Sequence, residues 1–436
     1  MSAPRDVLPR RVAAAAAVVL FAAGAVGCTV EDAKDAGAST AGGLGAPAAA
    51  VSPGVTADSI KVGIAYPDLD AVKAFVNVDN GDYEATFRAL IDKVNAAGGI
   101  HGRKIVPVFG KVNPISPSAA QETCLKLTQD EKVFAVLGAF NGPDQALCYV
   151  ETNKTAVIGG LQSKDGYAKA QVPWFAASSG PDQSKDVIQA LAGHGDFTGR
   201  KVAVLSATQN QAETEHVVLP ALQRNGVTPV ATGYLPSIGV DSAALAQQSA
   251  VMLEKARTAG ADTLVLSGIA AQMVPQALEK SSWRPKLLFA EPPYAYLLDK
   301  GKHDFSVLNG ATAAYPVVSW DTDADMMTCI ATLEAADPRL KGKLVDPDTV
   351  AGGQPNPSNS LRAACGTVKL FTAIADKAGR DLNYRTFQDA GFSLGSFHMP
   401  SFADQATYSA QSTNGSIPVK IHVYDPATNG FVPKLG

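Results

Sequence analysis

DYEATFRALIDKVNAAGGIHGRKI, residues Asp82–Ile105, and the GVTADSIKVGIAYPD that precedes it at Gly54–Asp68 together read as strand, helix, strand. Lys61–Ala65 is short, apolar and β-like. Over 83–97 the residues Phe87, Leu90, Ile91 and Val94 recur at i, i+3, i+4 and i+7, which is one apolar helix stripe. Asp82 is placed to cap the start of that helix, and Gly98-Gly99 to end it. Ile105–Phe109 is the next strand.

Outward from this unit the same grammar repeats. A helix over 118–129 leads to the strand Val133–Gly138, and a helix over 143–152 leads to the strand Thr155–Gly159. Lys201–Leu205, Val227–Tyr234, Thr263–Ser267 and Leu287–Ala290 read as strands, with helical patterns near 182–193, 211–225, 242–259 and 271–281. Such alternation predicts parallel sheets with right-handed crossovers, and at least eight such strands point to two sheets. Ala311–Val317, helices near 323–336 and 360–379, and a hairpin around 418–433 follow. Residues 337–359 are rich in Pro, Gly, Asn and Asp and predict a long loop.

The first 27 residues stand apart. Arg5, Arg10 and Arg11 precede an apolar run, Val12–Val26, that is short for a membrane span of ~20 residues. The pattern predicts a secretory signal. Ala25-Val26-Gly27-Cys28 resembles a bacterial lipobox, so Cys28 is the expected lipidation site; a plain secretory signal is the alternative. Residues 29–54 are dominated by Ala, Gly, Ser, Thr and Pro and predict a flexible tether, with a reach of about 28 Å. Besides Cys28 the chain has Cys124, Cys148, Cys329 and Cys365. In a secreted chain these predict two disulfides in one of three pairings; the pairing of sequence neighbours, Cys124–Cys148 and Cys329–Cys365, is favoured. The second bridge would close the 337–359 loop.

Composition narrows the function. Hydrophobic residues make up 46% and charged residues 18%, a balance that supports a sizeable core. The net charge is −4, and −6 without residues 1–27, with no basic block to hold nucleic acid. The six histidines at 101, 194, 216, 303, 398 and 422 are scattered and include no HExxH zinc motif, and no cysteine pair has CxxC spacing. No nucleophile elbow, P-loop or dinucleotide fingerprint is read. The expectation is a protein with no catalytic residues, metal or cofactor.

The 54–105 stretch, with CLKLTQDEKVFAVLGAFNG at Cys124–Gly142, resembles the leucine/isoleucine/valine-binding family of type I periplasmic binding proteins, which serve ABC transporters. The resemblance implies an α/β fold of two doubly wound parallel-sheet lobes joined by a three-segment hinge. Lobe one would hold 58–178 and 312–400, and lobe two 179–311 and 401–436. It also implies capture of a small molecule, an amino acid or a related carboxylate or amide, and delivery to an ABC permease. The protein would be a monomer on the outer face of the bacterial cytoplasmic membrane, touching the bilayer through its lipid only. A sensory module of a signalling receptor is the alternative.

Ligands of open α/β sheets lie beyond the carboxyl ends of the strands. That rule selects Tyr66 and Asp68 after the first strand, and Asn141 and Gly142 before Pro143 at an expected helix start that would seat a carboxylate. Gln162 and Ser163 follow the fourth strand, and Gln209, Gln272, Glu291 and Tyr294 lie in lobe two. Family members that hold α-amino acids carry Ser/Thr where Asn141-Gly142-Pro143 stands. They place the acid that holds the ammonium near 291–293; Glu291 is close but stands two residues early. The ligand therefore stays open among amino acids, other small carboxylates, amides and apolar compounds.

Overall fold

A computed structural model describes residues 52–434 apart from 73–78, 115, 139–144, 161, 163, 177–182, 237–241, 299–302 and 352–353. The opening unit folds as its pattern dictates. Strand β1 (Ser59–Pro67) leads to α1 (Tyr83–Ala96), whose N-cap Asp82 accepts a hydrogen bond from the Ala85 N–H at 3.0 Å. Phe87, Leu90 and Ile91 form its buried stripe. Gly99 ends it at φ +70°, where a Cβ would lie 2.0 Å from the Arg103 carbonyl oxygen, so only glycine fits that turn.

Strand β2 (Lys104–Val112), helix α2 (Pro117–Leu125), strands β3 (Ala135–Gly138) and β4 (Ala156–Gly159), helix α3 (Lys164–Lys169) and strand β5 (Trp174–Phe175) complete a parallel sheet in the order β2-β1-β3-β4-β5. The helix expected over 143–152 is described only as a wide helical turn, Cys148–Thr152.

The chain then builds α4 (Gln183–Gly193), β6 (Val202–Ala207), α5 (Gln211–Glu213), a wide turn Thr214–Val218, α6 (Leu219–Arg224), β7 (Ala231–Leu235), α7 (Ser242–Thr258), β8 (Thr263–Leu266), α8 (Ile269–Glu279), β9 (Lys286–Phe289), α9 (Tyr294–Leu298) and β10 (Thr312–Tyr315). It returns through α10 (Ala324–Ala336), α11 (Ser358–Ala378), α12 (Tyr384–Phe392), β11 (Gly395–Phe397), β12 (Ala406–Ser409) and β13 (Ser412–Ser416), and ends in the hairpin β14 (Lys420–Asp425) and β15 (Gly430–Pro433). The second sheet has the order β15-β14-β10-β9-β8-β6-β7, parallel from β10 to β7 and antiparallel at β14 and β15.

Two sheets with helices between their strands make the two doubly wound lobes expected. Sheet membership moves two lobe limits. β10 lies in the second sheet, and β12 and β13 pair with β11 beside the first. The second crossing therefore falls at 316–319 and not at 311/312, and the third at 417–419 and not at 400/401. The Ser319 N–H donates to Ser401 O at 2.8 Å and the Ala403 N–H to Val317 O at 3.0 Å, so the second crossing is paired to the 401–403 segment.

The first lobe has one core. Phe134, Phe175, Phe371, Tyr384, Phe387 and Tyr408 meet there, with ring centroids 5.3–6.5 Å apart. Helix α11 packs on β3 and β4 beside α1, α10 and α12. The disulfides are Cys124–Cys148, which ties α2 to the Cys148–Thr152 turn, and Cys329–Cys365, which ties α10 to α11. The pairing of sequence neighbours is the one present, and the second bridge holds both ends of the long loop.

Candidate functional site

On the first lobe β1 delivers Tyr66, which is buried and stacked on Tyr83 with centroids 5.7 Å apart. Its hydroxyl donates to the Glu84 carboxylate. Burial, and then Glu84, push the Tyr66 phenol well above the ordinary range, so it stays a neutral donor. Asp68 follows; its N–H donates to Val112 O at 2.8 Å, and its carboxylate lies 4.0 Å from Lys111 Nζ.

The next turn, Asp79–Gly81, is pinned to the start of α11. Asn356 N–H donates to Asp79 O at 2.6 Å, and Ser360 N–H to Asn80 O at 3.0 Å. Asn356 Nδ2 also donates to Pro347 O at 2.9 Å. This network positions the Asp346–Asp348 turn, where Arg362 of α11 donates to Asp346 at 2.9 Å and to Asp348 at 3.0 and 3.1 Å. The Arg362 guanidinium also lies 5.7 Å from the Trp320 ring centroid. Two carboxylates against one cation leave this wall anionic.

On the second lobe Ser206 and Ser267 close the ends of β6 and β8 through a 2.8 Å hydroxyl pair. Gly268 then turns at φ +57° into α8. Glu213 is held by the Ser184 hydroxyl and by Asn210 Nδ2 at 3.2 Å. Gln272 accepts from the Tyr296 N–H at 3.2 Å, and Gln209 is exposed. Beyond β9 come Glu291, open to water, and Tyr294. Tyr315 stacks on His422 with centroids 3.7 Å apart. Burial depresses the His422 imidazole and holds it neutral.

The two walls meet at α9, which packs on the Pro347–Thr349 turn of the first lobe. Desolvation by the protein packed around it pushes Glu291 above the usual carboxylate range, followed by Glu213 from its own lobe and Asp348 from the other, although part of its surface still meets water. It is both accessible and electrostatically crowded, as a group inside an open cleft would be. Tyr294 likewise senses Tyr315, Asp348 and Asp346.

Of the residues selected from sequence, Glu291, Tyr294 and Gln272 gather at the strand ends of the second lobe, and Tyr66 and Asp68 at the end of β1. Gln162 is placed differently. It is buried, its Nε2 donates to Trp174 O at 2.8 Å, and its Oε1 accepts from Thr413 at 2.8 Å, so its amide is engaged in joining β5 to β13. Asn141, Gly142, Ser163 and Cys28 lie outside the described residues, as do Pro143 and Asp144. Sequence reading missed Asp346, Asp348, Arg362, Glu213 and Tyr315. For the first three the signal available was the Cys329–Cys365 bridge, which brings the acidic loop back to α11.

The spacing G-x-S-x-G does occur, at Gly391–Gly395, and escaped the motif reading. Ser393 caps the end of α12 and its hydroxyl donates to Asp389 O at 2.7 Å. A nucleophile elbow needs the opposite order, strand into helix. A groove of about 470 Å³ between α7 and α8, beside Leu253, Met273 and Trp283, lies on the helix layer and not at the strand ends.

Residues 59–281 match the family model described as periplasmic binding protein. No curated protein sequence matches the chain. Among solved structures it is similar to a periplasmic binding protein type 1 from Bordetella pertussis Tohama I. The TM-score is 0.61 at 14% identity, over 86% of this chain and 100% of that one. It is also similar to an ABC transporter substrate-binding protein from Desulfitobacterium hafniense in complex with Leu, with TM-score 0.59 at 13% identity over 86% and 100%. A third is an ABC transporter solute-binding protein from Rhodopseudomonas palustris HaA2 in complex with p-hydroxybenzoic acid, with TM-score 0.61 at 13% identity over 86% and 96%. At these identities the likeness is one of fold.

Proposed function

The chain belongs to the periplasmic binding protein family, and from that premise we propose that it captures a small polar solute between its lobes and delivers it to an ABC importer. The observation that carries this reading is the meeting of Glu291 and Tyr294 with the Asp346–Asp348 turn. Loops from the carboxyl ends of one sheet come up against the Asp346–Asp348 turn of the other lobe, which supports hinge closure on a ligand there. The ligand class is an amino acid or a related carboxylate or amide, with its donor end toward Glu291. Tyr66, Asp68, Asn141, Gly142, Ser163, Gln209, Gln272 and Tyr294 complete the proposed contacts. The protein acts as a monomer without catalysis, outside the cytoplasmic membrane, with Cys28 as its lipid anchor. Among the described residues no helix is long and apolar enough to cross a membrane.

Thermal unfolding of the protein against leucine, valine, aromatic acids, short amides and dicarboxylates tests the proposal. A ligand at ~1,000 times its Kd stabilises by about 4 kcal/mol. A saturable rise in Tm with one class is expected; no rise with any compound would remove the transport reading.

Glu291→Gln separates ligand binding from stability. Because folding raises the Glu291 pKa, the native state keeps this proton at pH values where the unfolded chain has lost it. The group therefore destabilises the fold as pH rises above the unfolded carboxylate range. The variant is expected to raise the Tm of the unliganded protein at neutral pH. It should weaken an ammonium-bearing ligand about 10- to 100-fold, the loss of a charged hydrogen bond. A lower Tm with unchanged affinity would exclude this role.

A further inference from the structure

We propose a transition-metal site, suited to Zn²⁺, at Asp323, Asp325 and His398, at the first-lobe end of the second crossing. One atom from each of these residues lies within 4.8 Å of the others, the one such group of three found among the described residues. The residues are 75 positions apart at their widest, so no sequence motif announces them.

The donor set is two carboxylate oxygens and an imidazole nitrogen, the ligand types of three-ligand zinc sites that keep a fourth position for water. Each donor is oriented by the fold. Asp323 caps α10: its Oδ1 accepts from the Met326 N–H at 2.6 Å, and its side chain is 3% exposed. That leaves Oδ2 of a buried carboxylate aimed at His398 Nε2. Asp325 Oδ2 lies 3.8 Å from the same nitrogen. Gln405 places its amide nitrogen, Nε2, 3.1 Å from the other ring nitrogen, Nδ1. A glutamine amide can present either end, and with its oxygen toward Nδ1–H it directs the Nε2 lone pair at the carboxylates. Such a partner on the far ring nitrogen is the usual companion of a metal-binding histidine.

Charge points the same way. Lys369 Nζ contacts Asp325 and lies 3.3 Å from His398 O, but one ammonium against two carboxylates leaves the cluster one positive charge short. On metal binding Asp325 would bridge the ion and Lys369 or release Lys369. Asp323 and Asp325 follow the crossing strand Val317–Ser319, and His398 precedes the Ser401–Ala403 segment paired to it. An ion here would fasten both strands at the foot of the hinge.

The test is calorimetry and thermal unfolding of the untagged full chain with ZnCl₂, and MgCl₂ as the oxygen-preferring control. Saturable Zn²⁺ uptake with a rise in Tm is expected. Asp325→Asn and His398→Ala should each weaken it about tenfold or more, with circular dichroism confirming that they fold. Lys369→Met removes the competing ammonium and should tighten Zn²⁺. No saturable uptake, uptake equal in wild type and both ligand variants, or weaker uptake in Lys369→Met would overturn the proposal and leave an ion-pair network.

Discussion

Phe134→Ala is expected to destabilise the protein by about 3–5 kcal/mol, the range for removing a buried aromatic ring and leaving a cavity. Phe134 is fully buried at the entrance to β3. Its ring touches Phe371, Tyr384 and Phe387 at centroid distances of 6.5, 5.3 and 5.4 Å. These partners come from α11 and α12, so one ring joins the first sheet to two helices made much later in the chain. The Tyr384 hydroxyl also donates to Phe134 O at 2.9 Å, which fixes the backbone and limits collapse around the void. Chemical denaturation would report the loss, and hydrogen exchange should place it in the first lobe. A cost below about 1 kcal/mol would mean that α12 can close the gap.

Cys329→Ser with Cys365→Ser is expected to cost about 4 kcal/mol, because the bridge closes a separation of 36 residues and limits the unfolded chain. The larger interest is functional. The closed segment carries Asp346 and Asp348, and its position depends on the bridge at one side and on Arg362 at the other. Loss of the bridge should therefore lower Tm and also weaken ligand binding, since the turn that faces Glu291 and Tyr294 loses an anchor. A fall in Tm with unchanged affinity would show that Arg362 suffices to hold the turn.

The parts of the fold legible in the sequence are those whose burial imposes a period. The central parallel strands are largely apolar, as in AVLG of β3 and TLVL of β8, and α1 shows a clean stripe between an Asp cap and a Gly-Gly stop. Strands β12 and β13 were not legible. ATYS of β12 alternates over only four residues, STNGS of β13 has no apolar residue to alternate, and Thr413 and Asn414 are buried in the folded protein. Helix α12 is short, and its signal is the capping box from Asn383 to Thr386, which no long stripe follows. The rule of strand ends selects Glu291 and Tyr294, which lie just beyond β9 as that rule requires. Gln162 obeys the same rule but spends its amide on Trp174 and Thr413. Arg362 has partners in a loop whose return to α11 is a tertiary fact, signalled in the sequence only by the Cys329–Cys365 pair.

The discontinuity of the first lobe governs the order in which the molecule can mature. Its five strands are complete at Phe175, yet α10, α11 and α12, which cover them, begin only at Ala324. A chain emerging N-terminus first exposes Val136, Ile158 and Phe175 until α11 and α12 follow, the last at Phe392, a delay on the order of tens of seconds at ~5–20 residues per second. The parallel strands of the second sheet, by contrast, are contiguous from Val202 to Tyr315. The second lobe is therefore free to assemble while the first still waits as a bare apolar sheet. A nascent chain of this design invites holding factors at its first-made half, and it commits to its final form only when its last third arrives.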